Sequence, residues 1–91
     1  MKEQIVLKIY GRVQMVLYRD SARRRAKKLE LVGYVMNQSD GTVEVIAEGE
    51  KEKLEEFINW CYNGPILAKV EKINIDWKKA TDQFDNFKIK Y

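Results

Sequence analysis

Histidine is absent from the chain. That gap removes serine or cysteine triads built on histidine, imidazole proton shuttles and nearly all zinc sites. Any enzyme made from this sequence runs chemistry that needs no strong base near pH 7. Cysteine occurs once, at Cys61, so it forms no internal disulfide, which fits a reducing cytosol and a cytoplasmic location. Proline also occurs once, and no linker, repeat or low-complexity tract divides the chain. No apolar run approaches the roughly 18 residues of a membrane span. The opening "MKEQIVLKIYG" is too short and too alternating for a signal peptide, so nothing points to membrane or export. A strong charge excess is missing too. The 17 Lys and Arg against 14 Asp and Glu leave +3, compatible with anionic ligands but short of a dedicated nucleic-acid binder.

What is present fits one domain over residues 1–91, with 45% apolar residues to build a single core. "QIVLKIY" alternates, with Ile5, Leu7 and Ile9 on one face of a strand. From about Arg19 to Leu31, Ala22, Ala26 and Leu29 recur at helical spacing while Arg23, Arg24, Lys27 and Lys28 cover the outside. Gly33 reads as the stop signal of that helix. "YVMNQ" and "TVEVIAE" are strands joined around Asp40-Gly41, a hairpin signal. A second helix from about Glu50 to Tyr62 buries Leu54, Phe57, Ile58 and Cys61, and Gly64-Pro65 ends it. In "AKVEKINIDW" the residues Ile73, Ile75 and Trp77 alternate, and Val70 falls out of phase, the mark of a bulge. "NFKIKY" closes the chain with Phe87, Ile89 and Tyr91 on one face.

The order is α+β: a ferredoxin-like sandwich (βαββαβ) plus a short terminal strand, read as an antiparallel sheet with both helices on one face. That fold hosts many functions. RNA-binding relatives of this shape stack bases on aromatic residues of the middle strands. Here those strands offer only Tyr10, which counts against nucleic acid as a partner.

Two residues stand out as site candidates. Arg19 lies where the first helix begins, and a helix N-terminus with its unpaired amides is an anion site that a guanidinium fork can complete. The plainer reading, favoured by charge pattern alone, is a solvated arginine in a basic helix. Asn37 precedes the hairpin; its carboxamide can accept from a water and donate to a phosphate oxygen, or simply serve the turn in "NQSDG". Cys61 lies on the apolar stripe of the second helix and reads as core. Arg23-Arg24-Arg25 and Lys27-Lys28 read as a solvated face, and Trp60 and Trp77 as packing.

Taken together, "GRVQMVLYR" and then "LVGYVMNQSDGTVEVIAEG" resemble the acylphosphatase family, whose signature reads G-R-V-Q-G-V-x-[FY]-R followed by G-[WY]-V-x-N-x-x-x-G-x-V. The resemblance runs on through "EGEKEKLEEFINWCYNGP" to "DNFKIKY". It implies the ferredoxin-like fold and hydrolysis of a small-molecule acyl phosphate to a carboxylate and inorganic phosphate, the latter also an inhibitor. By matching positions, Arg19 resembles the phosphate-binding arginine and Asn37 the residue that positions the attacking water. Gln14, Met15, Val16, Leu17, Tyr18 and Arg19 would form the amide cradle. No metal, no cofactor and a monomer are expected. The chemistry suits a chain without histidine, because a carboxylate leaving group with a conjugate acid near pKa 4 needs no general acid.

Met15 departs from the signature, which has glycine there. A glycine in a phosphate loop serves a positive φ or a close backbone approach. Methionine therefore has three outcomes: a left-handed backbone kept under strain or else a relaxed loop whose amides turn away and bind phosphate less well, a side chain that fills the anion pocket, or a side chain turned to solvent with the cradle intact. The alternative function follows from the loss of that glycine: a weakened or inactive relative acting as an anion-binding or protein-interaction module.

Overall fold

The computed structural model describes residues 2–91. In chain order the elements are β1 (Lys2–Arg12), α1 (Tyr18–Lys28), β2 (Val32–Asn37), β3 (Val43–Glu50), α2 (Lys51–Asn63), β4 (Lys69–Lys79) and β5 (Phe87–Lys90). They form one sheet in the order β4-β1-β3-β2-β5. The expected βαββαβ sandwich is present: β1 lies antiparallel between β3 and β4, and β2 is antiparallel to β3.

The fifth strand corrects the all-antiparallel reading, because β5 runs parallel to β2. The reason lies in where β4 stops. Lys79 pairs with Glu3 at the end of the sheet where β2 begins, Val32 pairing there with Glu48. The chain crosses that end to the far edge, so β5 sets out in the same direction as β2. Its entry is fixed by the Gly33 amide, which donates to the Asn86 carbonyl at 2.9 Å.

The alternating strand residues meet the helical stripes in one core. Ile5, Leu7 and Ile9 of β1 and Val43, Val45 and Ala47 of β3 are fully buried, as are Ala22, Ala26, Leu54, Phe57 and Cys61 of the helices. Burying an aliphatic side chain of this size contributes roughly 1.5–3 kcal/mol. Phe57 is the hub, stacked on Trp60 at 6.1 Å and edge-on to Phe87 at 6.0 Å.

Three local readings change. The first helix stops at Lys28 without using Gly33. Glu30 takes the left-handed position (φ 60), and the Leu31 amide donates back to Ala26 at 2.9 Å, a Schellman closure. Gly33 instead lies inside β2, where a Cβ would overlap the Ile46 carbonyl. The expected bulge is real: the β1–β4 register shifts between Tyr10 and Gly11, which face Lys72 and Val70. Ile75 and Trp77 are half-exposed at the β4 edge rather than core. Tyr91 lies beyond the end of β5 and is 96% exposed.

Candidate active site

Residues 13–17 carry the chain from β1 into α1, and three anchors shape them. Val13 and Val16 turn into the core. Tyr18 is buried and its hydroxyl donates to the Cys61 carbonyl at 2.6 Å, pinning the start of α1 to α2. Burial raises both the Tyr18 phenol and the Cys61 thiol, the thiol to about 12, so both stay protonated and structural. The Gln14 side chain reaches the hairpin, donating to the carbonyls of Gln38 (2.8 Å) and Thr42 (2.9 Å). The Gln14 side chain therefore ties the loop to the hairpin, a contact that residue spacing does not predict.

Between those anchors the backbone is unusual. Met15 (φ 62) and Leu17 (φ 67) are both left-handed, and Val16 between them is not. Alternation of this kind turns successive N–H groups toward one concave side, an anion nest. Among the described residues, no turn or cap hydrogen bond takes its donor from the backbone of residues 14–17. The N-cap position, Leu17, provides no side-chain cap for the first-turn amides of α1. Met15 combines two of its three possible outcomes: the backbone is left-handed, and the side chain is 99% exposed rather than folded into the concavity.

Arg19 follows the nest, half-buried, with its guanidinium carbon 5.1 Å from the centre of the Tyr91 ring. Among the described residues no carboxylate comes within ion-pair distance of it. Asp20 beside it is engaged by Arg23 (3.5 Å) and Arg24 (3.2 Å), so it neutralises the basic helix face and not Arg19. Arg24, Arg25, Lys27 and Lys28 are exposed, as a solvated face should be.

Asn37 ends β2, opposite Val43. Its Oδ1 is buried and receives no hydrogen bond from any described residue. The hairpin behind it is rigid. Asp40 accepts from the Thr42 hydroxyl (2.6 Å) and amide (3.1 Å) and pairs with Lys8 at 2.9 Å, and these bonds hold its carboxyl far below the usual range. Met36 pairs with Lys90, which puts Asn37 at the level of Tyr91, whose ring Arg19 faces. A cleft of about 490 Å³ is lined by Val13, Met15, Leu17, Tyr18, Arg19, Asp20, Ile89 and Tyr91. Asn37 is not in its lining; its link to the loop runs through Gln38 and Gln14. Tyr91, as the aromatic neighbour of Arg19, is the residue that strand patterning missed.

No helix among the described residues is long and apolar enough to cross a membrane, and no group of three His, Cys, Asp or Glu stands together there. Residues 5–89 match the family model described as Acylphosphatase. The chain belongs to the acylphosphatase family. An acylphosphatase of Salinibacter ruber is 40% identical over 89 residues, 98% of this chain and 94% of that one. Another, from Thermococcus kodakarensis, is 43% identical over 83 residues, 91% and 90% of the two chains. The crystal structure of the acylphosphatase from Bacillus subtilis superposes with a TM-score of 0.95, at 34% identity and full coverage of both chains.

Proposed function

We propose that the chain hydrolyses acyl phosphates to a carboxylate and inorganic phosphate, with the phosphoryl group held by Arg19 and the backbone amides of residues 14–19. The observation that carries the reading is a coincidence of unpaired groups. Loop amides without acceptors, a guanidinium without a carboxylate and the donorless Oδ1 of Asn37 belong to two segments tied by Gln14. A buried carboxamide oxygen is normally paired, so an open Asn37 Oδ1 beside a loop and a guanidinium that are open as well supports a ligand between them.

In the reaction a water oxygen attacks phosphorus while the bond from phosphorus to the acyl oxygen breaks, and that electron pair leaves on the carboxylate. Asn37 Oδ1 accepts a hydrogen bond from the attacking water and so orients it; the water's proton passes to phosphate or solvent. The guanidinium and the amides face the charge that builds on the equatorial oxygens. Positioning and electrostatics are the whole contribution. The alternative, a weakened or inactive anion-binding or protein-interaction module, rested on Met15 in place of glycine; a left-handed Met15 with its side chain in solvent favours the enzyme reading over it. The one thiol, Cys61, is free and buried, which suits the cytosol.

The test is benzoyl phosphate hydrolysis in the presence of EDTA across about pH 5–9. The scheme uses no general acid or base, so kcat should be flat over that span. No turnover, or a limb near pH 6–7, would overturn the scheme.

A further inference from the structure

The loop holds two large apolar side chains where the fold gains nothing from them. Left-handed backbone is unfavourable for a residue that bears a side chain, and glycine or asparagine relieves most of that cost. Burial would offset that cost, yet Met15 is 99% exposed and Leu17 71% exposed. Stability therefore explains neither residue. Both line the cleft that contains Arg19, and so does Tyr91, exposed and 5.1 Å from the guanidinium. Ile89, half-buried, closes the same wall. The one side-chain carboxylate in the lining, Asp20, is engaged by Arg23 and Arg24, so the polar part of the cleft lies at the start of the helix and the apolar part at Met15, Leu17, Ile89 and Tyr91.

We infer that Met15, Leu17, Ile89 and Tyr91 form a subsite for the acyl group, and that the preferred substrates carry an apolar acyl chain or ring rather than a short or charged one. The inference rests on the phosphoryl group lying at Arg19 and the loop amides. Arg19 shares its cleft with these side chains, so an acyl group attached to a phosphoryl group held there has this wall to lie against. An apolar acyl group covers side chains that water otherwise wets, which favours the bound state in proportion to the area removed from water.

Hexanoyl phosphate adds four methylenes to acetyl phosphate and changes nothing at phosphorus. Half-burial of those methylenes raises kcat/KM by about tenfold or more over acetyl phosphate. Replacing Met15 and Leu17 together by glycine keeps the backbone conformation and removes the wall, so the hexanoyl-to-acetyl ratio should fall toward one. Tyr91→Ser should lower the ratio in the same direction, independently of the loop. Acetyl phosphate hydrolysed as efficiently as hexanoyl phosphate by the wild type would overturn the subsite and leave the reaction standing. A ratio unmoved in both variants would overturn it as well, as would concentration-dependent dimerisation lost with these side chains, which would give the wall to a second copy. Hydrolysis of neither compound would remove the reaction, and the subsite with it.

Discussion

The two ends of the sheet treat polar groups in opposite ways. Where β1 begins, Glu48 is 2% exposed and its carboxylate accepts from the Gln4 side chain (2.6 Å), the Thr81 amide (2.9 Å) and hydroxyl (2.8 Å), and the Asp82 amide (3.1 Å). Burial alone would push that carboxyl up, but these bonds outweigh it and hold it below its ordinary value. Asn37, opposite Val43 and so level with Ile9, lies five residues along β1 from Gln4, roughly 16 Å at the rise of a strand, and the loop follows the end of β1; the loop amides, Arg19 and Asn37 Oδ1 have no such partners. One end is closed by satisfied bonds and fastens the crossing from β4 to β5. The other keeps its donors and acceptors open and carries left-handed backbone at two bulky residues. A polar group's remaining valence, and not its burial, separates structure from site.

The contrast breaks if substitutions at the two ends do the same thing. Arg19→Ala should lower kcat/KM by about a thousandfold and abolish inhibition by phosphate, with stability changed by no more than about 0.5 kcal/mol. Asn37→Ala should lower kcat by about a hundredfold while the phosphate inhibition constant stays within about threefold. Equal loss of both in steady-state kinetics would mean that Asn37 holds phosphate rather than water. At the closed end the readout reverses. Glu48→Ala orphans the donors of Gln4, Thr81 and Asp82 and should cost about 3 kcal/mol in urea unfolding, with kcat within about twofold of wild type.

That loss is pH-dependent. A carboxyl whose folded pKa is lowered stabilises above its unfolded value, 4.5, and the contribution disappears as pH falls through the folded value. The gap between wild type and Glu48→Ala should therefore narrow as pH falls below 4.5. A gap that stays constant would rule out the carboxylate as its cause. Met15→Gly, the smallest effect, should raise stability by about 1 kcal/mol through relief of the left-handed strain. Destabilisation in thermal melts would mean that the loop is not strained there.

Most of the architecture was legible because it is written in periodicity. Ile5, Leu7 and Ile9, or Leu54, Phe57 and Cys61, declare a buried face by spacing alone. Asp40-Gly41 and Gly64-Pro65 declare turns by backbone chemistry. The rest depended on contacts between distant segments. Nothing local in "NFKIKY" says that it will lie parallel to β2, since that direction follows from where β4 ends. Glu48 looks like the polar half of an alternating strand until Thr81 and Asp82 arrive, 33 and 34 residues on. At the site, Arg19 and Asn37 could be singled out by residue type and motif. The tether from Gln14 to the hairpin and the ring of Tyr91 over Arg19 join residues far apart in sequence and leave no pattern in it.

The measurement that reaches the centre of this account is a titration of the ¹⁵N-labelled protein with inorganic phosphate, followed amide by amide. Saturable shifts should concentrate in the backbone amides of residues 14–19 and the Asn37 side chain, while Gln4, Thr81 and Asp82 stay still. Shifts centred on the Glu48 network, or none in the loop at phosphate concentrations that inhibit hydrolysis, would contradict it.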